Sequence, residues 1–147
     1  DGIDIDWEYP AVPGHDHSKN TARPKDTQNF TALLKALRQQ LDARGQTDNK
    51  HYLLTIAAPA SPSQFRHIEL AQIHPLLDWI NLMTYDYAGE WSPLTGFNAP
   101  LYPFTFPDDP KQKPQPSADA SVRAYLTAGV PKEKLLLGVS FYGRGWT

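Results

Sequence analysis

The chain has 147 residues, 40% of them hydrophobic, with 16 acidic and 14 basic residues and a net charge of −2. That length suits one domain with its own core, and the balanced, scattered charge argues against a nucleic-acid partner. No apolar run approaches the roughly 20 residues that span a bilayer, and with no cysteine disulfides hold nothing and the redox compartment is unreadable.

Residues 1–10, DGIDIDWEYP, predict a β-strand with two unlike faces. Successive side chains on a strand point to opposite sides, so Asp4, Asp6 and Glu8 share one face and Ile3, Ile5 and Trp7 the other. Neighbours on the acidic face would repeat at about 6.6–6.8 Å. Ile and Trp suit a strand, whereas Asp is depleted there. Crowded carboxylates with little water around them cannot all stay ionised, so at least one should hold a proton at neutral pH. A retained proton is what a general acid needs. Two other readings are a solvated edge strand and an oxygen-ligand metal site. The helix-loop-helix calcium loop requires Gly at its sixth position, which counted from Asp4 is Tyr9.

Ala11 to Lys25 reads as a long loop. Its histidines, His15 and His17, read as solvated rather than as ligands. Asp26 or Thr27 is expected to cap a helix running to about Arg44, with Phe30, Leu33, Leu34, Leu37 and Leu41 on one stripe and Gly45 as its stop. Asn29-Phe30-Thr31 matches a glycosylation acceptor but falls at the helix start. Leu53 to Ala58 predicts a strand buried on both faces. Gln64 to Leu77 carries a weaker helical pattern interrupted by Pro75. Trp79 to Tyr85 predicts a third strand with Asp86 and Tyr87 at its end.

Ala88 to Pro116 has no periodicity and is punctuated by prolines, including Pro107 and Pro110; a loop this long is functional or disordered. Ser117 caps a helix to about Ala128, and Leu135 to Ser140 predicts the fourth strand. Alternating strands and helices imply a parallel sheet covered by helices. Glu8, Tyr9, Ser61, Tyr85, Asp86, Tyr142 and Arg144 stand where strands run out. In parallel α/β folds those ends carry the site, in a doubly wound sheet as well as in a barrel.

DGIDIDWEYP resembles the catalytic signature of the family 18 glycoside hydrolases, the chitinase family. LTIAAPAS, NLMTYDYAGEW and LLLGVSFYGRGW resemble that family's fifth, sixth and seventh strands. The resemblance implies a (β/α)8 TIM barrel of which this chain looks like a partial segment, about the fourth to seventh strands, so that residues 1–147 form part of a single catalytic domain. Strands one to three and eight would lie elsewhere, and both outer strands would present unpaired edges. The sequence alone is therefore expected to be unstable or to aggregate.

The resemblance also implies a chemistry: hydrolysis of β-1,4 linkages between N-acetylglucosamine units with retained configuration. Retaining glycosidases ordinarily use a second carboxylate as nucleophile, and this family is an exception. The substrate's own 2-acetamido oxygen attacks the anomeric carbon. Glu8 would donate the proton to the glycosidic oxygen. Asp6 would accept the acetamido N–H, with Asp4 holding the shared proton and positioning Asp6. Tyr85 would orient the acetamido oxygen and Asp86 would bond the sugar. Met83 would lie under the acetamido methyl, and Tyr9, Trp91, Tyr142 and Arg144 would supply further contacts. Aromatic side chains suit this because sugar rings have apolar faces. Tyr87 and Trp146 are expected in the core. A cis peptide between Glu8 and Tyr9 is also implied. No metal or cofactor is expected, and neither a nucleic-acid nor a membrane partner. The implied substrate is chitin or a chitooligosaccharide, met outside the cell by a monomeric enzyme. Alternatives are an endo-β-N-acetylglucosaminidase acting on N-glycans, and a chitin-binding lectin of the same fold. Lectins of that kind typically lose the acid that stands here as Glu8.

Overall fold

A computed structural model describes residues 1–16, 18–105 and 114–146. His17, Pro107 and Pro110 lie outside the described residues. Four parallel strands form one sheet in chain order: β1 (Gly2–Ile5), β2 (Leu53–Pro59), β3 (Trp79–Met83) and β4 (Leu135–Leu137). Ile5 pairs with Ile56, Ile56 with Ile80, and Ile80 with Leu135, so one level of the sheet runs through all four strands.

The two faces of the sheet differ. Leu54, Ile56, Ala58, Ile80 and Leu82 are each at most 1% exposed and point toward the helices. Ile5 and Trp7 pack against that same core. The opposite face carries Asp4 and Thr55, which are register partners, and Asn81. Period-two alternation therefore sorts the start of the chain as the sequence predicts. β2 is buried or half-buried along its whole length, as expected for Leu53 to Ala58, whereas β3 alternates half-buried and buried residues.

Helix α1 (Asp26–Asp48) covers the core face, with Phe30 and Leu34 fully buried. Phe30 meets Trp7 edge to face at 5.7 Å. The helix continues past the expected stop at Gly45. Asn49, at φ 50°, is the left-handed residue that ends it, and its N–H donates to the Gly45 carbonyl. Gly45 instead permits close return of the chain, because a Cβ there would sit 2.3 Å from the Lys50 carbonyl oxygen. Asp26 does not cap the helix with its side chain. Its carboxylate turns back to accept the Arg23 N–H (2.9 Å), the Arg23 guanidinium and the Asn29 amide.

The weak pattern expected from Gln64 to Leu77 resolves into two short helices, α2 (Pro62–Phe65), which begins earlier, and α3 (Leu70–Ile73), followed by a 3-10 turn at His74–Leu76 that accommodates Pro75. Helix α4 (Ala118–Thr127) is capped by Ser117, whose Oγ accepts the Ala120 N–H. Fully buried Tyr125 donates its hydroxyl to the Pro59 carbonyl at 2.7 Å, and Ser121 donates to the Ala60 carbonyl at 2.8 Å. These bonds satisfy the backbone where β2 runs out, which a buried strand end requires.

β4 is shorter than the expected Leu135 to Ser140. Gly138 N–H still donates to the Leu82 carbonyl at 2.9 Å. Its own carbonyl is taken by the Thr84 hydroxyl at 2.7 Å instead of a backbone amide, and the ladder ends there. β1 and β4 are the outer strands. Leu137, Val139 and Phe141 at the β4 side are 49%, 66% and 99% exposed, a large apolar surface for an uncovered edge. Among the described residues no helix is long and apolar enough to cross a membrane.

Candidate active site

The acidic row extends past the hydrogen-bonded ladder. Asp4 lies within β1, whereas Asp6 and Glu8 follow its last paired residue, Ile5. Asp4 Oδ1 accepts the Thr55 hydroxyl from β2 and the Asn81 amide (3.2 Å) from β3. The Trp79 indole N–H in turn donates to Asn81 Oδ1 at 3.1 Å, which fixes the amide so that its NH2 faces Asp4. Asp6 is the carboxyl that its surroundings push upward. Burial is the largest cause, followed by the Glu8 charge, a hydrogen bond with Glu8 and the Asp4 charge. The expectation that crowding raises the proton affinity of one acid of the row is met at Asp6, which burial raises first and the charges of the acids on either side raise further. The Glu8–Tyr9 peptide is cis, as the resemblance implies. Burial, then a hydrogen bond to Glu8, pushes the Tyr9 hydroxyl far up.

The exits of β3 and β4 supply the facing group. Tyr85 is pushed upward by burial and by the charges of Asp6, Asp86 and Glu8, which places its hydroxyl in the field of the acid row. Met83, the last residue of β3, follows Asn81 on the same face and pairs in register with Pro59. Asp86 has φ 57°, the left-handed region. A non-glycine residue there carries a strain of about 1–2 kcal/mol, and its amide is held by Asn98 Oδ1 at 3.1 Å.

Arg144 Nε (3.1 Å) and Nη2 (2.6 Å) both donate to Asp86 Oδ1. The guanidinium lies 4.8 Å from the Trp91 ring centre and 5.9 Å from that of Tyr142. Tyr142 meets Tyr85 edge to face at 6.3 Å. Gly138 lets the end of β4 lie close against Leu82 and the Tyr85 ring, because a Cβ would sit 2.4 Å from the Leu82 carbonyl oxygen and 2.9 Å from the Tyr85 ring.

Asp4, Asp6, Glu8, Met83, Tyr85, Asp86, Trp91, Tyr142 and Arg144 therefore gather at the C-terminal end of the sheet or on the face leading to it. Two expectations for neighbouring aromatics come out differently. Tyr87 is half-buried and shares a 2.8 Å hydrogen bond with Ser121. Trp146 is 41% exposed rather than core, since the segment after β4 lies outside the sheet. Sequence reasoning missed Thr55, Asn81 and Asn98. The first two had a signal, because each is a polar residue interrupting an otherwise apolar strand. Asn98 had none, lying in an aperiodic loop.

Comparison with known proteins identifies the arrangement. The model of the Glycosyl hydrolases family 18 matches residues 1–147. The chain belongs to that family. Its sheet is accordingly part of a (β/α)8 barrel, with the acid row on one of the barrel's parallel strands. Family 18 relatives include Chitinase A1 of Niallia circulans, 47% identical over 99% of this chain and 21% of the relative. Among solved structures, chitinase ChiA74 from Bacillus thuringiensis superposes with a TM-score of 0.88, is 47% identical, and covers 99% of this chain and 23% of its own. A mutant of the Ostrinia furnacalis Group II chitinase catalytic domain 2, in complex with penta-N-acetylchitooctaose, gives 0.78 and 33% over 95% of this chain and 33% of its own. The chain thus spans about a fifth to a third of the length of these relatives.

Proposed function

We propose that this chain is the acid-bearing part of a single catalytic domain of a chitinase that acts outside the cell as a monomer. It would cut β-1,4 bonds between N-acetylglucosamine units of chitin or chitooligosaccharides. The observation that carries this reading is the convergence of Asp4, Asp6 and Glu8 with Tyr85 and Asp86 at one end of a parallel sheet. Relatives named chitinases, one of them holding a chitooligosaccharide, support the substrate class.

The mechanism is the one that the resemblance to family 18 implies, carried onto these residues. Glu8, the outermost, gives its proton to the glycosidic oxygen as that bond breaks. The acetamido oxygen of the sugar closes on the anomeric carbon and forms an oxazolinium ion. Tyr85 donates its hydroxyl to that oxygen and holds it near the line of attack. Asp6, whose proton affinity is raised by burial and by the neighbouring Glu8 charge, shares a proton with Asp4 and accepts the acetamido N–H. Its charge then offsets the positive charge that develops on the ring. Water, deprotonated by Glu8, opens the oxazolinium ion from the same face, so configuration is retained and Glu8 regains its proton. Met83 lines the methyl pocket. Asp86, Tyr9, Trp91, Tyr142 and Arg144 hold the sugars. No cofactor enters these steps.

The test is release of a fluorescent aglycone from chitobiose and chitotriose conjugates by the intact protein and by Glu8→Gln. Activity lost in the variant supports the reading. A folded but inactive wild type would sink it, and chitin binding would then separate a lectin from an enzyme acting on N-glycans.

A further inference from the structure

Trp91 rides on a loop whose two ends meet. The Tyr87 N–H donates to the Asn98 carbonyl at 3.0 Å, and the Asp86 N–H donates to Asn98 Oδ1 at 3.1 Å. One residue thus closes the span from 87 to 98 with both its backbone and its side chain, giving a compact loop with adjacent ends. The loop is filled from within. A Cβ on Gly89 would sit 2.5 Å from the Trp91 ring, and one on Gly96 would sit 2.8 Å from the Ala88 Cβ. Ser92 and Gly89 exchange bonds of 2.9 and 3.2 Å across the turn beside Trp91.

The other end of the Asn98 amide reaches a different strand exit. Nδ2 donates to Ser140 Oγ at 3.4 Å, two residues before Tyr142. Asn98 is therefore joined to the left-handed turn that aims Asp86, to the loop that carries Trp91, and to the segment that carries Tyr142 and Arg144. Those segments meet again at the far side of the cluster, where Arg144 binds Asp86 and lies against Trp91.

We propose that Asn98 is a positioning residue of the active site, a clasp that sets Asp86, Trp91 and the Tyr142–Arg144 segment in one fixed arrangement to receive the sugar. It touches no reacting atom and acts through these side chains. The inference rests on the glycosidase reading of the site, but its geometry does not.

Two measurements on the intact protein test it. In Asn98→Ala, kcat/KM on chitooligosaccharide conjugates should fall by about ten- to a hundredfold, the scale expected when a binding group is misplaced by about 1 Å. The nitrogen-15 resonances of the Arg144 Nε–H and the Trp91 indole should move toward their solvent-exposed positions. A merely structural role would lower the melting temperature and leave both resonances of the folded protein in place. Asn98→Asp keeps the oxygen that holds the Asp86 amide and loses the donor to Ser140. It should retain the Trp91 signal while the Arg144 signal shifts, and it carries the test if Asn98→Ala does not fold. Unmoved resonances in the folded variant, or kcat and KM both at wild-type values, overturn the proposal. If the wild type shows no glycosidase activity, the functional reading fails and the resonances alone decide the role of Asn98.

Discussion

Two aspartates at opposite ends of the sheet show how one residue type is put to contrary uses. Asp78 stands just before β3. It accepts the Leu54 N–H at 2.7 Å, His51 at 2.6 Å and the Arg38 guanidinium at 3.4 Å. Burial alone would raise its proton affinity, but these bonds outweigh it and hold the carboxyl below the usual range. Asp6, at the opposite end, has two acids for neighbours, and burial with their charges pushes it up. Donors and cations surround the acid at the bottom of the sheet and stabilise the fold. At the top, acids crowd one another and the fold is opposed, the usual signature of a site kept for chemistry.

The largest expected effect breaks the top end. Glu8→Gln should lower turnover by about 10²–10⁴-fold, the range for a general acid, with an unchanged or higher melting temperature because a repelling charge is gone. Aglycone release and a thermal melt on the same sample check both halves. Next comes the bottom end. Asp78→Ala should destabilise the intact protein by about 2 kcal/mol, since a charged acceptor of several bonds is lost, while turnover per folded molecule stays the same. Urea unfolding beside active-site titration measures this, and a large loss of turnover with normal stability would contradict it.

The pH dependences should run in opposite directions. Asp78 has a folded value below the unfolded one of about 3.9, so its contribution is present above that pH and lost as pH falls through the folded value. Asp6 has a raised folded value. Stability tied to it is full below about pH 3.9 and is lost as pH rises through the folded value. Asp6→Asn removes that loss, so the variant should melt higher than wild type at neutral pH while turning over far more slowly. Melting curves across pH for both single variants would show it, and parallel profiles would contradict the assignment. The smallest effect concerns the support beneath the row. Thr55→Val removes one donor to Asp4 and should lower kcat several-fold with little change in KM, whereas Thr55→Ser, which keeps the hydroxyl, should restore it. Steady-state kinetics on both variants decide.

Much of this was legible in the chain. Alternation in DGIDIDWEYP put the acids and the apolar residues on opposite faces because a strand's period is fixed by its backbone. The runs at Leu53 and Trp79 were legible as strands from being short and mostly apolar, not from alternation. Element ends were less legible. Gly45 reads as a stop and is instead a point of close chain approach, and β4 ends where the Thr84 hydroxyl takes the Gly138 carbonyl. Both depend on contacts between residues distant in the chain.

By itself the sequence determined the order of strands and helices, the acid row and the aromatic residues at the strand exits, because these follow from local periodicity and from residue chemistry. Only the tertiary structure decided which carboxyl is pushed up, that Thr55 and Asn81 grip Asp4, and that Asn98 joins two strand exits. Proton affinity and hydrogen-bond partnership are set by neighbours brought in from other strands, and no local pattern encodes those neighbours.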